Sequence, residues 1–523
     1  MHQDRPRETD MGQPEGTGES AGESIVIKGR SAVVSAGRPS ARLKVRRIGV
    51  KLRGDPTRVI TRLFVPGYED APDQVFCRVA DLPDEDVARL LAQTLDRYAP
   101  RHKDIPGVFD LNFERAAART GCAIPDSPER RRLLGAYFTM EYALESVALF
   151  NPSIVPHPDQ RDVPEGSCRF IMSLRACGEG HIASIEFRSG SVDLDGHICI
   201  DPVTPFTFSE LRMPETQYEK HPFRMKLGEM GAYNHISERV LEDLGDFFQL
   251  DELERVVSRH RYGNNDREYT RQTLDSVVWL ARSNYQLAFP EDSDISERVI
   301  FPVSENESRG IEDARFVRFV EDDGQVEYFA TYSAYDGIRI LPQFIETTDF
   351  RRFKIITLNG RYAQHKGMAM FPRRIDGLYM MVARVDGESL HLLPSDNRHF
   401  WNDAKPLQRP RYPWEFVQIG NCGSPMETSE GWLMLTHGVG PMRQYCIGAV
   451  LLDLHDPSRV LGQLREPLIA PTNAEAEGNV PSVVYSCGAM IHGGLLIIPY
   501  GAADTMTRIA TVPVRDLLDQ LLN

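Results

Sequence analysis

No run of about 18 apolar residues occurs in this 523-residue chain, so no membrane-spanning helix is expected. Basic charge is also short: 60 Lys and Arg stand against 75 Asp and Glu, a formal net charge of -15. General nucleic-acid binding is therefore disfavoured, because it needs a basic face to neutralise phosphates. Eight cysteines are scattered at 77, 122, 168, 177, 199, 422, 446 and 487, without CxxC or Cys/His ligand spacing. Most of them read as small buried residues in a reducing compartment. HExxH, GxSxG and EF-hand patterns are missing, and Gly420-Asn-Cys-Gly423 lacks the lysine and strand–helix context of a phosphate loop. Nothing calls for a metal or an organic cofactor. Met1-His-Gln-Asp-Arg-Pro-Arg7 has no apolar core of a secretory signal, so a cytoplasmic location is expected.

Hydrophobic residues make up 41% and charged residues 26%, as in a globular protein with a sizeable core. Residues 1–45 are rich in Gly, Ser, Glu, Pro and Arg, and a disordered tail is expected there. Over 46–145 the pattern predicts an α/β extension, largely helical. A strand-like stretch comes first, then a helix over Asp84–Tyr98, with Val87, Leu90, Leu91 and Leu95 at helical spacing. A second helix opens at Ser127-Pro128-Glu129 and is expected to run towards Leu149.

From 146 to 512 short apolar strands dominate, punctuated by Asp323-Gly324, Asp376-Gly377, Asp386-Gly387 and Gly493-Gly494. The interruption at about 210–292 reads as a helical insertion, with helices over Ser237–Leu250, Asp251–His260 and Arg267–Ala288. A short C-terminal helix is expected over Val514–Leu522, within 513–523. Five segments resemble one another, each an apolar strand running into polar groups: Arg169–Arg175, Glu327–Tyr332, Leu378–Arg384, Trp432–His437 and Leu495–Tyr500. The last four start roughly 50 to 65 residues apart, a spacing expected of propeller blades. The fold expected is mainly β: a five-bladed β-propeller with an N-terminal α/β extension and a helical insertion between the first two blades.

Strand ends of a propeller point at a central channel. Arg175, Arg384 and His437 would then converge on Asp313 and form an anion pocket with one carboxylic acid, suited to sugar and phosphate chemistry. Each residue taken alone has a plainer reading. Asp313 could be a turn residue with a surface ion pair, Lys366 and Arg384 structural salt-bridge partners, and His437 a satisfied core histidine. Tyr445 could offer its hydroxyl to the same anion. Asp504 follows Gly501-Ala-Ala503, small residues expected to let substrate approach the backbone closely. Asn151 and Arg175 are equally ambiguous one at a time.

Taken in order, these residues resemble glycoside hydrolase family 130, the β-mannoside phosphorylases and β-mannosidases. The segments that carry the resemblance lie at about 146–190 and 298–512. They include Phe150-Asn-Pro152, Ser173-Leu-Arg175, Gly310-Ile-Glu-Asp-Ala-Arg315, Thr436-His-Gly-Val439 and Tyr500-Gly-Ala-Ala-Asp-Thr505. The resemblance implies a five-bladed propeller and Asp313 as the single proton donor, acting through a sugar hydroxyl. It also implies phosphate held by Lys366, Arg384, His437 and Tyr445, and a mannosyl unit held by Asn151, Arg175 and Asp504. The implied partners are a mannosyl oligosaccharide and inorganic phosphate as co-substrate, in a possible homo-oligomer, with inversion to α-mannose 1-phosphate. A hydrolase on the same scaffold, with Glu415, Glu427 or Glu477 activating water, is the first rival. A non-catalytic carbohydrate-binding propeller is the second. Ala314 stands where the family usually has proline. The N-terminal extension and the insertion fall outside the family core, and are expected to wall the pocket, choose the acceptor or mediate oligomerisation.

Overall fold

A computed structural model describes residues 43–523, apart from 68–70, 124, 210, 213–215, 262–266 and 339. The tail expected over 1–45 lies outside the described residues except for its last three. Of those, Leu43 and Val45 pack on a buried apolar cluster. The described chain is mainly β, with its helices gathered in two regions apart from one at Val514–Leu522.

The first helical region holds Ala71–Ala80, Asp84–Tyr98, Ile105–Ala117 and Pro128–Tyr137. Asp84, Glu85 and Asp86 in the first turn and Arg97 in the last complement the dipole of the second helix. Ser127 caps the fourth by accepting from the Arg130 amide, with Pro128 in the first turn. That helix stops at Tyr137, short of the expected Leu149. Phe138 is buried among helix side chains, and Thr139–Ala143 pairs antiparallel with Val59–Leu63, so tertiary pairing overrides helical propensity. This layer is tied to the strands by buried ion pairs: Arg58 lies 2.9 Å from both Glu145 and Glu186.

The second region holds Lys220–Glu229, His235–Glu242, Leu250–Arg261 and Arg267–Arg282 around a core of their own. Two expected helices are shorter than the pattern suggested. The stretch Ser237–Leu250 breaks after Glu242, and Phe247–Gln249 pairs with Gln217–Glu219. The last helix ends at Arg282 because Tyr285–Ala288 joins the edge of a sheet beside Arg352–Thr357.

The strands form consecutive antiparallel groups. Ala148–Pro156, Cys168–Cys177, Ala183–Val192 and Ile198–Ile200 make the first. Gly310–Val320, Val326–Tyr335, Ile340–Thr347 and Arg352–Thr357 make the second. A single parallel pairing, Gly310 with Ala183, links these two into one sheet of 12 strands, where the repeat pattern predicts separate units. The third group has 4 strands between Ala369 and Gln408, and the fourth has 5 between Gln418 and Gln463. The fifth runs from Val484 to Pro513 and takes in Arg46–Arg53, so a strand expected in the N-terminal extension completes the last sheet. All five sequence segments that resembled one another lie on strands of these groups.

Buried apolar clusters join neighbouring groups. Phe187 meets Phe316 and Phe353 between first and second. Phe329 and Met381 share a cluster between second and third, and Val382 and Trp432 one between third and fourth. Leu435 and Ile498 share one between fourth and fifth, and Met172 and Ile497 one between first and fifth. The helix Val514–Leu522 buries Val514, Leu517, Leu518 and Leu521, a single stripe at helical spacing. Each such side chain contributes about 1.5–3 kcal/mol when fully buried. Among the described residues no helix is long and apolar enough to cross a membrane.

Candidate active site

One cavity of about 260 Å³ collects side chains from all five strand groups. All eight residues singled out in the sequence line it: Asn151, Arg175, Asp313, Lys366, Arg384, His437, Tyr445 and Asp504. Three of them share one local device. Asn151, Asp313 and Asp504 have φ of 47°, 57° and 49°, in the left-handed region that Asn and Asp tolerate better than other side chains. The first two sit where strand register slips, between Phe150 and Ser153 and between Glu312 and Arg315. An irregularity of that kind re-aims a side chain out of the pleat, here into the cavity.

Around Asp313 the donors are dense. Asn151 Nδ2 donates to Oδ1 at 2.8 Å, and Arg175 Nη1 approaches the same oxygen at 3.4 Å. Arg315 holds the Asp313 carbonyl at 2.9 Å. Burial would push the Asp313 carboxyl up, but Arg175 and then Arg315 outweigh it and hold it below the usual carboxylate range. Asp504 behaves oppositely. No donor reaches its carboxylate among the described residues, and burial, with the nearby Asp313 charge, pushes it up to about 6. Gly501 has a different use from the one expected. A Cβ there would lie 2.8 Å from Asn151 Oδ1, so its bareness admits Asn151 rather than a substrate.

Glu312 bridges the cavity. Its Oε1 accepts from Arg175 Nη2 at 2.8 Å, and its Oε2 pairs with the Lys366 ammonium. Arg384 has no carboxylate partner among the described residues; its Nη1 donates to His437 Nε2 at 3.3 Å. His437 Nδ1 donates to the Asn421 carbonyl at 3.0 Å, which fixes the tautomer. Burial, then Arg384, drive the His437 pKa down to about 3, so the ring is neutral. It therefore orients Arg384 as an acceptor and does not add a positive charge of its own. Gly420 makes room for that ring: a Cβ would lie 2.2 Å from its Cε1. His437 also stacks on Tyr445, with centroids 5.9 Å apart, and Arg443 lies 5.9 Å over the Tyr445 ring.

Sequence reasoning passed over Glu312, Arg443, Gln418, Asn421 and Tyr485 as members of the lining. Glu312 and Arg315 were in view within the Asp313 stretch. Arg443 sits with φ of 56° in the short turn between Gly431–Val439 and Tyr445–Leu452, and carried no signal. The lining holds five cations, Arg175, Arg315, Lys366, Arg384 and Arg443, against three carboxyl groups, Glu312, Asp313 and Asp504. A protein of net charge -15 has thus focused positive charge in one place.

Among the described residues the helical regions supply none of the lining, so of the three roles weighed for them walling the pocket has no support there. The three glutamates considered for water activation are also elsewhere. Glu415 is buried and accepts from the Arg411 and Tyr412 amides and from Gln463. Glu427 pairs with Arg373, and Glu477 is exposed away from the cavity.

Comparison with known proteins places relatives beside this geometry. A family model described as β-1,4-mannooligosaccharide phosphorylase matches residues 266–523. The 1,2-β-oligomannan phosphorylase of Thermoanaerobacter sp. (strain X514) is 34% identical over 222 residues, 41% of this chain and 72% of the relative. The β-1,2-mannobiose phosphorylase of Listeria innocua serovar 6a is 30% identical over 253 residues, 47% of this chain and 69% of the relative. A solved structure of β-1,2-mannobiose phosphorylase from Listeria innocua, in complex with β-1,2-mannobiose, aligns over 73% of this chain and 93% of its own. Its identity is 20% and its TM-score 0.41, a likeness too loose to bear on the fold.

Proposed function

Since this chain belongs to glycoside hydrolase family 130, we propose that it is a glycoside phosphorylase. It cleaves a β-mannoside with inorganic phosphate, with inversion, to give α-mannose 1-phosphate and a shortened acceptor. The observation that carries this reading is the surplus of cations in one cavity that also holds Asp313. Phosphate is already an anionic nucleophile, so it needs positioning and charge compensation rather than a base. An inverting hydrolase needs a second carboxylate, about 6.5–9.5 Å away, to activate water. None of the three glutamates weighed for that task lines the cavity, and of the other two carboxyls there Glu312 is tied to Arg175 and Lys366 while burial pushes Asp504 up to about 6.

In this reading Asn151, Arg175 and Asp504 hold the mannosyl unit. Lys366, Arg384 and Tyr445 seat the phosphate, with His437 steering Arg384, and Arg443 joins them from its turn. Asp313 is the proton donor, acting through a sugar hydroxyl. The Arg175 and Arg315 charges hold Asp313 below the usual carboxylate range. A phosphate dianion entering among the cations offsets their pull and raises the proton affinity of Asp313, so the second substrate arms the acid. Phosphate is the co-substrate and no other cofactor is invoked.

We also read the five strand groups as blades of a five-bladed propeller, with the helices of about 210–292 inserted after the first. Apolar clusters that join each group to the next, and the fifth to the first, support that reading. Eight free cysteines suit a reducing, cytoplasmic setting.

The test is to incubate the protein with α-mannose 1-phosphate and a panel of sugar acceptors, following phosphate release. The reverse direction uses β-1,2- and β-1,4-mannobiose with phosphate, since relatives are named for both linkages. Release of phosphate with an acceptor is expected; a blank across all donors and acceptors defeats the proposal.

A further inference from the structure

We infer that Glu312 is a positioning residue that couples the sugar and phosphate halves of the cavity, ordering the sugar side while weakening phosphate binding. This rests on the phosphorylase reading above. Glu312 alone among the three pocket carboxylates holds a cation from each half: Arg175 at 2.8 Å on one oxygen, Lys366 on the other. Its side chain is 15% exposed, so both pairs are partly shielded from water.

The two contacts have opposite consequences. On the sugar side Glu312 anchors the guanidinium that also reaches Asp313, and a bidentate cation of that kind is what fixes hydroxyl-binding geometry. On the phosphate side it occupies an ammonium that the dianion needs, and its own negative charge repels the dianion. Arg384 and Arg443 have no carboxylate partner among the described residues, so of these three cations only Lys366 must be shared. An ammonium has three donors and can pass between two acceptors without leaving the site. When phosphate draws Lys366 away, Glu312 is left to Arg175 alone, and the sugar side tightens. By linkage, bound mannoside favours phosphate by the same factor.

The experiment is steady-state phosphorolysis of a β-mannobiose by Glu312→Gln and Glu312→Asp, with inorganic phosphate as the varied probe. Glu312→Gln removes the charge and keeps the shape. Its KM for phosphate is expected to fall about tenfold while its KM for mannoside rises about tenfold, within the usual range of site-to-site coupling. Glu312→Asp keeps the charge and shortens the reach. Its KM for phosphate is expected to stay within about twofold of the parent while that for mannoside rises. A purely structural role moves both constants the same way, and either that outcome or no change in Glu312→Gln overturns the inference. Should thermal melting show Glu312→Gln unfolded, Glu312→Asp decides alone: a KM for phosphate rising together with that for mannoside overturns it. Turnover by the unmodified protein without phosphate would instead defeat the phosphorylase reading. A phosphate-dependent parent with an unsplit Glu312→Gln defeats only this coupling.

Discussion

The two halves of the cavity solve charge differently. On the Asp313 side the cations are answered: Arg175 meets Glu312 and Asp313, and Arg315 holds a carbonyl. On the Arg384 side two of them wait, while Lys366 is held by Glu312. Arg384 rests on a neutral imidazole, and Arg443 lies over a tyrosine ring. A ring of hydroxyls needs a rigid polar surface with little net charge, whereas a dianion needs uncompensated positive charge held in place. In the proposed function, this contrast is what lets one cavity take an uncharged and a charged partner side by side.

The largest effect that tests this contrast belongs to the answered side. Asp313→Asn should lower phosphate-dependent turnover about 10²–10⁴-fold, the usual contribution of a positioned acid, measured on protein shown to be folded. If turnover survives, the proton comes from elsewhere. On the waiting side, Arg384→Met should raise the KM for phosphate about 10–100-fold, as expected for losing a charge-assisted hydrogen bond. Its effect on mannoside binding, read by calorimetry, should be far smaller; equal losses on both would erase the distinction between the halves.

Acid dependence sharpens the comparison further. Asp504 titrates at about 6, and its ionised form is the one that can accept sugar hydroxyls. The kcat/KM for mannoside should therefore rise with pH through about 6, and Asp504→Asn should abolish that limb. For stability the signs of the two aspartates differ. Asp504 is raised above its unfolded value, so the folded state binds the extra proton, and its contribution declines as pH rises towards about 6. Asp313 is depressed, so its contribution is present above the ordinary carboxylate value and is lost as pH falls through its lowered one. Denaturant midpoints of Asp504→Asn and Asp313→Asn across pH 3–7 should diverge accordingly. Smallest of all, Glu427→Gln removes a half-exposed pair with Arg373 outside the cavity. It should change stability by less than about 1 kcal/mol and leave turnover intact.

Much of this site was legible in the chain because strands have a simple grammar. Arg384 and His437 stood out because each closes an apolar strand segment where a charge or a ring nitrogen demands a partner. Asp313 stood out through the stretch around it. Arg443 did not, since a left-handed turn outside the strand pattern has no periodicity to betray it. The charge state of His437 was equally hidden, because it depends on Arg384 and on burial, neither of which is visible along one dimension. Helix ends failed at Tyr137 and Arg282 for a related reason. The residues beyond them are good helix formers locally but find strand partners far away in sequence.

The pairing of Arg46–Arg53 with Met506–Pro513 has a temporal consequence. One of the first strands to be synthesised must wait, unpaired, until nearly everything else has been made before its neighbour exists. Such a distant match is slow to find. Until it forms, the outer edge of the final sheet stays bare, a ready template for another nascent chain. Assembly of the last sheet is thus completed by a strand made long before its partner, and exposure to aggregation is greatest before that pairing forms.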